Sequence, residues 1–165
     1  MAPGAGVFLT LVGAALVCGG LWTSYRYRLL AIGAVAATLA TVMLAAQLAA
    51  PHGPPTRNQI LWLFGSVVLE ALLIPAVLRH AGRQDDRRRT LAILTVVAIH
   101  FMPMAPALGP IVAALGLACL INIGVAWYRP NVSSRLVWSI DGALKMIAGV
   151  ALLSAARFAA FPLAA

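Results

Sequence analysis

Six long apolar windows constrain the fold of this chain more than any other feature of its sequence. They cover residues 4–24, 29–50, 60–78, 90–108, 110–128 and 136–157. Each has about 19–22 residues, the length of α-helix that crosses a hydrocarbon core about 30 Å thick. The stretches between them are too short to hold a soluble domain. The pattern predicts an all-α integral membrane protein: a bundle of six transmembrane helices with very short loops, forming a single membrane domain over residues 1–165.

The composition agrees with a membrane protein. Hydrophobic residues make up 62% of the chain and charged residues 10%, against about 45–50% and about 25% in soluble domains. The net charge of +8 is high enough for a nucleic-acid binder. However, the basic residues lie in the gaps between windows, where determinants of membrane topology occur. The expected partner is therefore the lipid bilayer and not a nucleic acid, and a homo-oligomer is an open alternative.

The arginines indicate an orientation in the membrane. Nine fall in loops on one side and two on the other. The nine are Arg26, Arg28, Arg79, Arg83, Arg87, Arg88, Arg89, Arg129 and Arg135, and the two are Arg57 and Arg157. Because positive loops stay in the cytoplasm, both termini are predicted to lie outside. Interfacial belt positions are expected for the tryptophans and tyrosines at helix ends, which are Trp22, Trp62, Trp127, Trp138, Tyr25, Tyr27 and Tyr128.

The number of helices and the residue usage add two expectations. Two halves of three helices would start from opposite sides of the membrane, which is the parity of an inverted repeat, although no residue match between the halves supports one. Eleven of the twelve basic residues are Arg, and Ala is abundant. This bias is typical of GC-rich bacterial genomes, so the expected location is the bacterial cytoplasmic (inner) membrane.

Two ionisable residues are predicted at the midplane. Glu70 lies ten residues from the outer end of the third window, and His100 lies ten residues from the inner end of the fourth. At 1.5 Å per residue both are about 15 Å deep. Charged side chains at this depth are costly and mark functional sites by default. Because the two helices are consecutive and antiparallel, Glu70 and His100 could meet and exchange a proton.

Prolines follow both residues closely. Pro75 removes the amide that would bond the Ala71 carbonyl, and Pro103 does the same to Ile99. Pro106 adds a third interruption in the fourth helix. A kinked or broken fourth helix is predicted, with freed carbonyls that need another partner in hydrocarbon.

A second polar group lies nearer the predicted cytoplasmic side. Asp141 and Lys145 are four residues apart in the sixth window, which is the favourable order for an intrahelical ion pair. Asn122 in the fifth window has a similar depth. A functional interpretation makes Glu70 and His100 a proton relay to which Asp141 and Lys145 gate access. The alternative is that all five residues are hydrogen-bonded groups that fix helix packing.

Two resemblances bear on these residues. "HFMPMA" at residues 100–105 resembles a His-Phe-aliphatic-Pro-aliphatic-Ala element in small uncharacterised bacterial multi-pass membrane proteins, which implies that His100, Phe101 and Pro103 act together. Asp-x-x-x-Lys on a final helix resembles the retinal-binding helix of microbial rhodopsins. Those proteins have seven helices and place aromatic residues around the retinal, so no cofactor is expected here.

Enzyme signatures are absent from the sequence: there is no His-Glu-x-x-His, Gly-x-Ser-x-Gly, Cys-x-x-Cys or phosphate-binding glycine loop. Neither an enzyme nor a metal site is expected. Two functional classes stay open. One is a small proton-coupled transporter or permease with a polar site at the midplane. The other is a non-transporting scaffold or accessory subunit in which the buried polar residues serve packing alone.

Overall fold

The chain folds into helices throughout the part that the computed structural model describes, residues 3–49, 56–80 and 86–160. Six α-helices are found: α1 (Pro3–Leu21), α2 (Arg26–Ala49), α3 (Arg57–His80), α4 (Asp86–Leu108), α5 (Pro110–Tyr128) and α6 (Ser134–Ala160). A short 3-10 helix, Thr23–Tyr25, precedes α2. By length and composition, each of the six can cross a membrane. The prediction of six helices that are long and apolar enough to span a membrane is therefore confirmed.

Several helices extend beyond the apolar windows. α3 begins at Arg57 because Thr56 and Gln59 form a capping box: the Gln59 amide donates to Thr56 Oγ1 at 3.3 Å, and the Thr56 amide donates to Gln59 Oε1 at 2.9 Å. α4 begins at Asp86, whose negative charge suits a helix N-terminus. An apolar window marks the hydrocarbon span, whereas the helix continues into the interface.

The helices divide into two compact units. The first comprises Met1–Pro54 and Trp138–Ala165 and holds α1, α2 and most of α6. The second is Pro55–Val137 and holds α3, α4 and α5. The units therefore do not follow the two sequence halves. Each half contributes its first two helices to one unit and its third helix to the other.

Glycines explain why α6 packs with α1 in the first unit. A Cβ built on Gly13 would lie 2.6 Å from the Gly142 carbonyl oxygen, and one built on Gly6 would lie 2.8 Å from the Gly149 carbonyl oxygen. The pairing runs in opposite directions along the two helices, so α1 and α6 are antiparallel. Small residues permit this close backbone approach, which is the usual basis of helix packing in membranes.

In the second unit α4 packs against both α3 and α5. It approaches α5 closely at Gly116, where an added Cβ would lie 3.0 Å from Phe101 Cβ and 3.1 Å from the Ala98 carbonyl oxygen. The core of this unit includes Leu91, Leu94, Ala98, Phe101, Val112, Leu115, Cys119 and Ile123.

α4 is one continuous helix through Pro103 and Pro106, and α3 continues through Pro75. Of the two predicted forms of the fourth helix, the broken one is therefore not found, and the three prolines remain predicted kink positions. α2 and α3 leave most of their apolar side chains exposed. Exposed apolar faces of this kind are suited to lipid, where every backbone polar group is satisfied within the helix.

Candidate functional site

Glu70 of α3 and His100 of α4 meet in the second unit. Each lies about 20 Å along a helix of about 35 Å, close to its middle. His100 Nε2 is 3.4 Å from Glu70 Oε2, and the side chains are 10% and 30% exposed, respectively. The structure thus brings together the two residues that their predicted depth made neighbours.

The second ring nitrogen of His100, Nδ1, limits the protonation states that the Glu70–His100 pair can adopt. Nδ1 lies 2.6 Å from the Val97 carbonyl oxygen, which can only accept a hydrogen bond. Nδ1 therefore carries a proton. A neutral imidazole then has a bare Nε2. The contact with Glu70 can therefore hold one proton in two forms: an imidazolium beside a carboxylate, or a neutral imidazole beside a carboxylic acid.

Packing on α5 fixes the position of this histidine. The His100 ring stacks on the neighbouring Phe101 ring, with centroids 4.4 Å apart and an angle of 33°. Phe101 is buried, and its Cβ approaches α5 at Gly116. The side of α4 that faces α5 is thus held tightly, and His100 is presented to α3. This arrangement gives a physical reason for His100 and Phe101 to act together.

Freed carbonyls lie beside both members of the pair. Pro75 and Pro103 cannot donate to the carbonyls of Ala71 and Ile99, which directly follow Glu70 and precede His100, respectively. Ile99 is exposed, as is Ala71. Pro106 leaves the Met102 carbonyl without its helical donor in the same way. Carbonyl oxygens in hydrocarbon need another donor or a cation, so these three are candidate acceptors near the Glu70–His100 pair.

Asp141 and Lys145 form a buried ion pair in the first unit. Lys145 Nζ donates to Asp141 Oδ2, and the side chains are 1% and 0% exposed, respectively. The second carboxylate oxygen, Oδ1, is buried and has no hydrogen-bond partner among the described residues. Gly142, which follows Asp141 directly, makes the close contact with α1. The predicted intrahelical pair is present, whereas gating of the Glu70–His100 pair stays a prediction.

Asn122 joins neither pair. Its Nδ2 donates to the Val137 carbonyl oxygen at 3.0 Å, which ties α5 to the first turn of α6. The sequence placed it correctly inside a helix but did not indicate this partner.

Trp138 has a different role from the predicted one. It lies at a helix end as expected, but it is 1% exposed and therefore does not belong to an interfacial belt. Its indole packs edge-on to Tyr27, with centroids 6.0 Å apart, and the Arg26 guanidinium lies 5.9 Å from its ring centre. A Cβ on Gly19 would be 2.8 Å from Trp138 Nε1. The missing side chain of Gly19 makes room for this indole.

Arg87 also has a structural role that sequence reasoning missed. Its Nη2 donates to the carbonyl oxygens of Ala126 and Arg129, the latter at 3.2 Å, at the C-terminal end of α5. A cation at a helix C-terminus satisfies the last carbonyls and favours the helix dipole. One of the arginines counted for topology therefore links α4 to α5. Arg83 lies outside the described residues.

No group of three or more His, Cys, Asp or Glu side chains that could hold a metal ion occurs within residues 3–49, 56–80 and 86–160. Comparison with curated proteins and with solved structures finds no match. A family model described as "Family of unknown function (DUF6609)" matches residues 3–161, almost the whole chain, whereas the "HFMPMA" resemblance concerns α4 and α5 alone. The chain therefore belongs to a protein family of unknown function, DUF6609.

Proposed function

We propose that this polytopic membrane protein is a small proton-coupled transporter or permease of the bacterial cytoplasmic membrane, in which Glu70 and His100 hold the coupling proton. The observation that carries the proposal is the 3.4 Å contact between His100 Nε2 and Glu70 Oε2, with His100 Nδ1 turned toward the Val97 carbonyl. Ionisable groups inside a membrane are expensive and typically belong to ion or proton pathways. Histidine is suited to exchange protons near neutral pH.

The composition of the units supports this class of function. Each sequence half contributes its third helix to the unit that holds the first two helices of the other half. Such an exchange, with halves of three helices and opposite starting sides, is compatible with an inverted-repeat transporter. Six short helices leave room for a small cavity only, so we expect the cargo to be an ion or a compact solute. The arginine distribution supports an orientation with both termini outside, and assembly into a homo-oligomer is compatible with the proposal.

Contacts elsewhere favour a second candidate function, a non-transporting scaffold or accessory subunit. Asn122 bonds the Val137 carbonyl, and Arg87 bonds the end of α5, so some polar groups in this chain serve packing alone. If Glu70 and His100 did the same, the protein would need no proton pathway.

Proton movement in proteoliposomes distinguishes the two functions. A pH-sensitive dye inside the vesicles reports proton uptake after an external pH step between about 5 and 8, with the membrane potential held by potassium and valinomycin and with compact solutes added in turn. Wild type is compared with Glu70→Gln and His100→Gln. His80→Gln is the matched control, because His80 is an exposed histidine whose Nδ1 also lies 2.8 Å from a backbone carbonyl, that of Ala76.

The proposal predicts proton movement in wild type and in His80→Gln, and its loss in both site variants while they remain folded and monodisperse. Equal proton movement in wild type and Glu70→Gln would contradict it. An absence of movement in all four proteins, together with a lower unfolding temperature of the two site variants, would favour the scaffold.

A further inference from the structure

The buried pair on α6 contains the single lysine of the chain. All other basic side chains, eleven in number, are arginines. The Arg guanidinium stays protonated in proteins, whereas a Lys side chain can act as a proton donor and acceptor when it is buried. Lysine therefore stands at the one described basic position where both the cation and its acidic partner are almost completely buried.

The surroundings of the pair do not compensate its charges fully. Asp141 Oδ2 accepts from Lys145, but Asp141 Oδ1 has no hydrogen-bond partner among the described residues. Removing two charges from water is costly, and mutual attraction offsets the cost only when the remaining lone pairs are also satisfied. The Asp141 carboxylate thus keeps one buried oxygen that can still accept a hydrogen bond or a proton.

The neighbouring helices in the first unit, α1 and α2, carry few charged side chains that could compensate the charge of Asp141. α1, which contacts α6 at Gly142 and Gly149, has no charged side chain, and its titratable group is Cys18. α2 presents Arg26 and Tyr27 to Trp138, one turn before Asp141. Neither α1 nor α2 contains an acidic residue, so Asp141 supplies the carboxylate where these helices pack with α6.

We propose that Asp141 and Lys145 form a second proton-exchange site, built from residues other than Glu70 and His100. In the charged form Lys145 is an ammonium and Asp141 a carboxylate. Transfer of one proton breaks an N–H bond of Lys145 and forms an O–H bond on Asp141, which leaves two neutral groups. Exchange with water then adds one proton to the pair or removes one. An arginine could pair with Asp141 but could not perform this exchange.

The single lysine makes the site directly observable. Uniform labelling with lysine that carries nitrogen-15 at Nζ gives one lysine side-chain signal from the tag-free protein in nanodiscs. Its chemical shift separates ammonium from amine. The signal is recorded from about pH 5 to 9 after long equilibration, because a buried group reaches water only through transient opening.

The proposal predicts that the wild-type signal changes from ammonium to amine within this pH range, and that Asp141→Asn displaces the transition. His80→Gln, at an exposed histidine outside both pairs, is the matched control and leaves the transition in place. A wild-type signal that stays ammonium at every pH overturns the proposal and makes the pair a permanent ion pair. The wild-type titration decides this even if Asp141→Asn fails to fold. The readout also does not depend on transport, so it can succeed where the proposed function fails.

Discussion

The close approach of α1 and α6 gives a prediction whose size follows from the structure. In Gly142→Ala, the new Cβ would lie 2.6 Å from the Gly13 carbonyl oxygen, 2.8 Å from Leu16 Cβ and 2.8 Å from the Val17 amide nitrogen. None of these atoms can move by a change of rotamer. The helices must therefore separate by about 0.8 Å to restore the 3.4 Å at which ordinary contact begins.

Separation of this size is costly along the whole contact. A gap of about 0.5–1 Å removes a quarter to a half of the dispersion energy of the atoms that face it. Overpacking typically costs about 1–3 kcal/mol, and the better helix propensity of Ala returns up to about 1 kcal/mol. We expect a net loss of about 1–2 kcal/mol, which lowers the apparent Tm by about 2–8 °C for a chain of this size.

Thermal unfolding in one detergent at one scan rate measures the effect, since unfolding of this kind can be irreversible. Gly124→Ala is the matched control, because a Cβ on Gly124 of α5 meets nothing within 4 Å. Its Tm should be unchanged or slightly raised. Gly13→Ala combined with Gly142→Ala should lose at least about 0.5 kcal/mol less than the sum of the single losses, since one separation relieves both contacts. The reasoning is wrong if Gly142→Ala and Gly124→Ala have the same Tm.

Three further predictions test the structural contacts by the same thermal measurement. Thr56→Ala removes the capping box of α3 and should cost about 0.5–2 kcal/mol, whereas Thr56→Ser should retain most of the stability. Arg87→Ala removes both bonds to the C-terminal carbonyls of α5 and should cost about 1.5–3 kcal/mol; a loss no larger than that of Arg87→Lys would show that the fork geometry is unimportant. Asn122→Ala should cost about 0.6–1 kcal/mol and leave proton movement at the wild-type rate, and a loss of proton movement would return Asn122 to the functional site.

The sequence was sufficient to predict the six helices and to show that Glu70 and His100 could meet. Window length defines membrane spans because lipid permits few alternatives to helix. Equal depth on consecutive antiparallel helices allows a contact, but which faces the two helices turn to each other was known only from the structure. The ends of the helices were harder to predict from the sequence, because side chains such as Thr56 and Asp86 extend a helix beyond its apolar window.

The choice of packing partners could not be predicted from apolar windows. Hydrophobicity does not determine that α6 packs with α1, because lipid is as apolar as either helix. The available signal was the spacing of seven residues from Gly6 to Gly13 and from Gly142 to Gly149, which places each pair on one helix face. The burial of Trp138 depends on the same packing and therefore could not be predicted from apolar windows either.

The two acidic sites differ in what holds them together, and this difference predicts how each responds to helix movement. Glu70 is neutralised across two helices, so its contact with His100 depends on how α4 packs. Asp141 is neutralised by a residue of its own helix, so separation of α1 from α6 leaves the partners four residues apart on one face. Gly116→Ala, which pushes α4 away from α5 near Phe101, should therefore change proton movement that depends on Glu70 and His100.

Gly142→Ala should instead leave the Asp141–Lys145 pair intact and only alter the access of water to it. In a protein that must move in order to transport, a pair formed between helices can be broken by that movement, whereas a pair within one helix travels with it. In the proposed transporter, the pair between helices would couple a proton to a change of conformation, and the pair within one helix would carry a proton.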